Sequence, residues 1–349
     1  MTPVLVLGGY GTFGAHVCRE LARLGVAVTV GGRDGAKAEA LARTLGPDCR
    51  GLAVDATQPT ACRAALQGHG VVVQCVGPFN RLDGAVLDAC LDAGCHYADI
   101  TDDRGYAALV RSHGERFHAR GLAAVFGCSS LPGISGALAL KAREGTVEPV
   151  ERARVTLFIG NHNPKGEAAV RSLLAGLGRP IPAPQGMLRG FRDREVVPLP
   201  EPFGRRGVFN FDAPEYDLFP SLLGVRSVSV KVGFELRLAT YSFALLARLG
   251  TGYGAWTAHL LQLPGRLLSR FGCSGGAVLT ELFLAGGEVR RAALLARTDG
   301  QRMAAMPCAL VAHALSENRI ASAGAWTAYE FLGATPLLEA LVAAGFELQ

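Results

Sequence analysis

Residues 3–8, PVLVLG, form an apolar run without polar alternation, and glycines stand at positions 8, 9, 11 and 14. Such a run reads as a strand covered on both faces, the kind found in parallel sheets. From His16 onward, Val17, Leu21 and Leu24 recur at helical spacing until Gly25 stops the pattern. A strand, a glycine turn and a helix in immediate succession constrain the fold more than any other feature. The helix has to carry the chain back, right-handed, to begin a neighbouring parallel strand. The residues that follow repeat the beat: strands at 26–30, 51–54, 71–76, 95–100 and 122–126 alternate with helices at 35–45, 60–66, 85–93 and 106–119. The expected fold is α/β, with a Rossmann-type doubly wound parallel sheet over residues 1–130.

The glycines at the first turn have the spacing Gly9-x-Gly11-x-x-Gly14. Gly9 permits the tight turn, Gly11 lets the backbone come close to a pyrophosphate, and Gly14 lets helix and strand pack closely. The N–H groups of Tyr10, Gly11, Thr12 and Phe13, with the positive end of the helix, are placed to meet phosphate oxygens. In this strand–helix context the motif points to a nicotinamide dinucleotide. The second strand ends in Val30-Gly31-Gly32-Arg33, with no acid at its tip to bond a ribose 2′-hydroxyl. Arg33 offers a planar fork suited to a 2′-phosphate, so NADP(H) is the expected cofactor. Asp34 reads as the N-cap of the next helix rather than a displaced ribose acid. Lys37, one turn on, either adds charge there or is simply solvated. Asp55 reads either as a partner for the adenine amine or as a helix cap. Val76, Gly77, Pro78 and Phe79 end the fourth strand where the chain passes the middle of the cofactor, with Phe79 expected to cover part of it.

After Cys128 the texture changes. LPGISG punctuates the chain, a helix follows at 137–144 and a strand at 153–159. Residues 227–234 alternate in polarity, and strands at 277–285 and 288–296 flank Gly286-Gly287, a hairpin signal. These predict a second α+β domain over 131–315 with a mixed or antiparallel sheet. Residues 180–219, rich in Pro, Gly and Arg, read as a long excursion or lid. Helices are expected at 303–315 and 336–344, with 316–349 packing back on the first domain.

Apolar residues make up 49% of the 349 and charged ones 19%, as in globular chains, and the net charge is +5. No basic face interleaved with aromatics appears, which speaks against nucleic acid and for a small-molecule, anionic ligand. The nine cysteines form no CxxC pair, and with the first strand starting at Pro3 no leader is expected. Reduced core thiols in a cytoplasmic protein are expected, and no clustered metal ligands are seen. Residues 238–265 carry one formal charge, Arg248, but Gly250, Gly252, Gly254 and Pro264 interrupt them. Integral insertion is disfavoured, and buried or surface-docking helices with peripheral membrane contact remain open.

The segments VLGGYGTFG, VVVQCVGPF, GCHYADITDD and GCSSLPGISGALALKA, in that order and spacing, resemble the saccharopine dehydrogenase-like oxidoreductases, as does AAMPCALVAHALSENRIASAGAW further on. The resemblance implies an NADP-binding Rossmann domain, a second α/β domain inserted before a returning C-terminal segment, and an oxidoreductase. Saccharopine-forming members carry an acid and a histidine after the Pro-Gly, whereas Pro132-Gly133 is followed here by Ile134, Ser135 and Gly136. Saccharopine is therefore not the expected substrate. HYADITDD resembles the lipid-associated branch, some members of which are described as enoyl reductases acting in trans.

Hydride transfer needs positioning and, for a carbonyl or imine, a proton donor. Asp99 and Tyr97 on the fifth strand are the catalytic candidates, with Thr101, Ser129 and Ser130 facing substrate. His96 and His162 lack an identified partner and read as structural. No Tyr-x-x-x-Lys is present, which excludes the short-chain dehydrogenase mechanism. Two functions follow: an NADP(H)-dependent oxidoreductase acting on a C=O, C=N or C=C bond of a small or lipid-like metabolite, or a non-catalytic NADP(H) sensor or carrier. A homodimer is compatible with both.

Overall fold

The computed structural model describes every residue except 165, 251, 252, 254–271 and 321. The chain opens with β1 (Val4–Leu7), α1 (Gly14–Arg23), β2 (Val28–Gly32), α2 (Gly35–Leu45), β3 (Arg50–Ala53), α3 (Pro59–Ala65) and β4 (Val71–Gln74). It continues through α4 (Ala85–Ala93), β5 (His96–Asp99), α5 (Arg104–Ser112), α6 (Gly114–Ala119), β6 (Ala123–Phe126) and α7 (Ser135–Arg143). Next come β7 (Val150–Ile159), α8 (Glu167–Gly176), β8 (Pro180–Ala183), β9 (Gly186–Arg189), β10 (Glu195–Pro198), β11 (Arg205–Asn210) and α9 (Glu215–Leu223). The remainder comprises β12 (Ser227–Phe234), α10 (Arg237–Leu249), β13 (Gly276–Leu284), β14 (Val289–Ala296), α11 (Gly300–Ser316), β15 (Gly324–Thr327), α12 (Ala328–Leu332), α13 (Ala334–Ala343) and β16 (Glu347–Leu348).

These elements form two compact units, Met1–Gly133 with Ala304–Leu337, and Ile134–Met303 with Leu338–Gln349. The first holds a seven-stranded sheet in the order β15-β6-β5-β4-β1-β2-β3. All its pairings are parallel. Every residue of β1 and β4 is buried, as strands with helices on both faces require. The strand order reverses between β1 and β4, so the loops leaving them diverge and open a crevice at their C-terminal ends. One face of the sheet packs Leu5, Leu7, Val72, Tyr97 and Phe126 against Cys90, Val110 and Phe117.

The structure differs from the sequence reading in two places here. The helix expected at 106–119 is two, α5 and α6, which meet at His113; Gly114, the first residue of α6, lies against β15, where a Cβ would come within 3.2 Å of the Ala325 side chain. The returning segment is Ala304–Leu337 rather than 316–349, and it adds β15 to the sheet beside β6. The last residues belong to the second unit, where Glu347 and Leu348 of β16 pair with Leu295 and Leu294.

The second unit is built on a mixed sheet, β10-β11-β12-β7-β13-β14-β16. Strand β12 runs parallel to β7, and the remaining neighbours are antiparallel. Residues 180–219 are not a lid. Their Val197, Leu199, Phe203 and Val208 close a core with Phe158 and Leu279, and Ile181 is 1% exposed. The stretch 238–265 is described only through Gly250 and at Tyr253, and its remaining residues lie outside the described part. No described helix is long and apolar enough to cross a membrane.

Candidate cofactor site

The glycine turn is shaped by contacts that admit no side chain. A Cβ on Gly14 would stand 2.2 Å from the Gly8 carbonyl oxygen, and one on Gly9 2.9 Å from both Val30 Cγ1 and the Val6 carbonyl. Gly8 sits at φ +74° directly against the end of β4, where its Cβ would lie 3.1 Å from the Cys75 carbonyl. Gly9 N–H donates to Gly31 O at 3.0 Å, which pins the turn to the tip of β2, and Gly11 N–H donates to Gly8 O at 2.9 Å, which closes the turn on itself. The N–H groups of Thr12, Phe13 and Gly14 meet no acceptor among the described residues. Helix α1 begins at Gly14 with no side-chain cap and no acid in its first turn. Orphan donors at the positive end of a helix make a site that favours an anion. At Gly11 an added Cβ would meet only Gly8 O, at 3.0 Å, so its outer side is open to a ligand.

The tip of β2 is organised by Tyr10. Its ring lies over Gly32, where a Cβ would fall 2.3 Å from Tyr10 Cε1, and its hydroxyl accepts the Asp34 N–H at 3.0 Å. Asp34 caps α2, accepting Lys37 N–H at 3.1 Å, and the Lys37 ammonium stands 3.3 Å from the same carboxylate. The capping reading of Asp34 therefore holds, and the bond from Lys37 N–H keeps its carboxyl below the usual aspartate range. Arg33 is exposed, between that capped acid and Asp55. Asp55 accepts the Thr57 hydroxyl at 2.7 Å and the Thr57 N–H at 3.0 Å, a turn that leads into α3. Those bonds, more than the Arg33 charge, hold its carboxyl below the ordinary range. Asp55 thus closes a turn ahead of α3 and is not its cap: the N-cap is Gln58, which makes no side-chain cap bond.

At the end of β4, Val76, Gly77 and Pro78 are half-buried beside the glycine turn. Val76 Cγ2 would lie 3.2 Å from a Cβ on Gly8. Phe79 turns away into the core, 8% exposed, its ring 5.1 Å from that of Tyr106. It does not cover a cofactor, because the short helical turn at Phe79–Arg81 directs its ring inward. Asp99 and Tyr97 are likewise inside, both 0% exposed. The strand pleat decides this: Tyr97 pairs with Val72 and Asp99 with Gln74, on the face of the sheet that carries the core.

The Asp99 carboxylate accepts three bonds, from Thr101 N–H and Gly127 N–H, each at 2.9 Å, and from Tyr97 Oη at 3.0 Å. Tyr97 Oη in turn meets Tyr106 Oη at 3.1 Å, and Asp99 O accepts Cys128 N–H at 2.8 Å. Burial pushes the Asp99 carboxyl up to about 7 against the pull of these donors, and burial raises Tyr97 too. The group ties the ends of β5 and β6 together. Thr101 is also fully buried and accepts Asp103 N–H, and Ser130 is 7% exposed. Of the residues expected to face substrate, Ser129 alone is partly open.

Residues 4–124 match the family described as the saccharopine dehydrogenase NADP binding domain. The match lies within the first unit. The fold of the whole chain agrees: it superposes on apo saccharopine dehydrogenase (L-Glu forming) from Saccharomyces cerevisiae with a TM-score of 0.68, covering 100% of this chain and 99% of that one at 12% identity. A carboxyaminopropylagmatine dehydrogenase from Synechocystis is 30% identical over 147 residues, 39% of this chain and 36% of the relative. A trans-acting enoyl reductase from Mycobacterium tuberculosis is 29% identical over 105 residues, 29% of this chain and 25% of the relative. The chain thus aligns with about a third or less of the length of these curated relatives.

Within the saccharopine dehydrogenase NADP-binding domain, the glycine turn, its free N–H groups and the acid-free tip of β2 fit the pyrophosphate and 2′-phosphate of NADP(H). Nothing in the sequence around Tyr10 signals that its side chain would brace β2, since its partners are a glycine and a backbone N–H on another element. The one clue was the Gly31-Gly32 pair, two residues without side chains at a strand tip. Among the described residues no cluster of metal ligands occurs.

Proposed function

We propose that this chain is an NADP(H)-dependent oxidoreductase that moves a hydride to or from a C=O, C=N or C=C bond of a small or lipid-like metabolite other than saccharopine. The carrying observation is the pairing of an unpartnered N–H cradle at Thr12, Phe13 and Gly14 with an exposed Arg33 at a strand tip that lacks an acid. Gly9, Tyr10, Gly11 and Gly14 shape the cradle, and Arg33 takes the 2′-phosphate. Val76, Gly77 and Pro78 border the middle of the cofactor. NADP(H) supplies the hydride. Asp99 and Tyr97 act as positioning residues that fix where β5 and β6 end, and Ser129 lies where a substrate oxygen or nitrogen is bound. The names of the relatives, a dehydrogenase and an enoyl reductase, support redox chemistry. The free state of all nine cysteines supports a reducing compartment such as the cytoplasm.

The test is the binding of NADPH and NADH to the parent and to Arg33→Ala, read by nucleotide fluorescence. A bidentate charged contact is worth ~1.5–3 kcal/mol, so NADPH binding should weaken roughly 10- to 150-fold while NADH binding changes less than about two-fold. Equal losses for both nucleotides would overturn the assignment. The burial of Asp99 and Tyr97 favours one other reading, a module that binds NADP(H) without turnover. Tight NADPH binding with no oxidation across panels of carbonyl, imine and enoyl compounds would select it.

A further inference from the structure

Helix α10 carries apolar side chains on two faces. Thr240, Ala244 and Ala247 are at most 7% exposed, and Phe243 and Leu246 pack with them against Phe191, Phe209 and Val232. On the other side Leu238 is 66% exposed, Tyr241 41%, Leu245 57% and Leu249 73%. Their spacing places all four on one stripe of the helix. Four large apolar residues in a row on a surface helix are not the scattered exposure that soluble surfaces normally show.

Charge says what the stripe meets. Residues 236–280 contain no Asp or Glu but carry Arg237, Arg248, Arg266 and Arg270, in a chain that has 30 acids among its 349 residues. Arg237 and Arg248 flank the stripe, both exposed and without an ion pair among the described residues. Arg194 joins them from the loop before β10, its Nε 3.1 Å from Tyr241 Oη and its guanidinium 5.6 Å from the ring centroid. The acids nearest to them are engaged elsewhere. Glu235 accepts the N–H groups of Asn161 and Cys273, Asp193 holds Asn210, and Glu195 pairs with Arg154 and Lys231. A second copy of the chain meeting this face about a two-fold axis would set arginine against arginine.

We infer that this face of α10 docks on an anionic lipid surface, with Leu238, Tyr241, Leu245 and Leu249 entering the headgroup boundary and Arg194, Arg237 and Arg248 meeting lipid phosphates. The pattern, leucines and an aromatic on one face with arginines at its borders, is that of a helix lying in the plane of a membrane interface. Docking there would deliver the protein to membrane-dissolved molecules without any spanning segment.

The experiment is sedimentation of the full chain with vesicles of phosphatidylcholine alone and of phosphatidylcholine with about one third phosphatidylglycerol. The parent should bind the anionic vesicles at least ~10-fold better, and raising salt several-fold should release it. Leu238→Ser/Leu245→Ser/Leu249→Ser should lose binding by more than ~10-fold. Arg237→Gln/Arg248→Gln should weaken it roughly 20-fold. Both variants should keep the parental circular dichroism and melting temperature. The inference is overturned if the parent ignores anionic vesicles, or if the triple variant binds them as the parent does. A dimer in ultracentrifugation that dissociates in the triple variant, with no vesicle binding by the parent, would instead assign the face to a second copy.

Discussion

Asp99→Asn should make the protein more stable at neutral and alkaline pH, an unusual direction for the loss of a buried charge that accepts three hydrogen bonds. The ordinary aspartate value is 3.8, and burial lifts the folded-state value to about 7. The folded state therefore holds its proton where the unfolded chain has released it. The stability contributed by that protonated carboxyl is complete below about pH 4 and drains away as pH rises to about 7. Three pH units of separation correspond to ~4 kcal/mol at the plateau, and ~2–3 kcal/mol between pH 5 and pH 8. Asparagine is a neutral isostere whose Oδ1 can keep the bonds from Thr101 N–H and Gly127 N–H, both 2.9 Å. Its Nδ2 can donate to Tyr97 Oη, which then donates to Tyr106. Urea titrations of parent and variant at pH 5, 6, 7 and 8 give the difference in unfolding free energy. It should rise in favour of the variant across the series and level off at the top. A variant less stable than the parent at pH 8, or a difference that does not change with pH, would refute the raised carboxyl and the neutral network it implies.

Gly14→Ala should destabilise the first unit by ~1–3 kcal/mol and weaken NADPH binding, because the new methyl would stand 2.2 Å from the Gly8 carbonyl oxygen in a turn with no room to shift. Gly176→Ala, where nothing lies within 4 Å, is the control, and equal thermal shifts in the two variants would contradict the steric account. In the second unit Glu281 is fully buried and held by Arg154 Nε at 2.6 Å and Arg291 Nε at 2.9 Å. Glu281→Gln should cost ~3 kcal/mol by leaving Arg154 short of charge, and Glu281→Met/Arg154→Met should recover most of that melting temperature. A double variant as unstable as the single one would show that the pair is not coupled.

The shape of the glycine turn is legible in the sequence because its determinants are local. Gly9, Gly11 and Gly14 act on a turn whose partners, Val6, Gly8 and Val30, lie within one strand–helix–strand unit, and Asp34 caps α2 by accepting the N–H of Lys37, three residues on. What was misread depends on distant chain. Tyr97 and Asp99 stand at a strand end, as catalytic groups often do, but the pleat fixed by pairing with Val72 and Gln74 turns both into the core. Phe79 follows the same rule, since Tyr106 claims its ring. Strand β15 is four residues long, too short to carry a pattern, and exists because β6 offers an unpaired edge. The 180–219 segment looked like a lid from its prolines and arginines, yet its buried Val197, Leu199 and Phe203 are spaced irregularly, which hides a core from any test of periodicity.

Tyr10 joins two functions that the sequence presents as separate. It lies between the first two glycines of the turn, while its ring covers Gly32 and its hydroxyl takes the Asp34 N–H. The shape of the phosphate cradle and the path of the chain through Arg33 are therefore set by one side chain. A larger residue at position 32 would displace the ring, release Asp34 N–H, and swing Arg33 with it, so on the proposal that Arg33 takes the 2′-phosphate, discrimination at the ribose would depend on a glycine that never needs to touch the nucleotide. Coupling of this kind explains why an acid-free strand tip alone is a weak guide to NADP(H). A guanidinium on a flexible turn loses much of its binding energy to ordering, and the brace from Tyr10 supplies that order in advance.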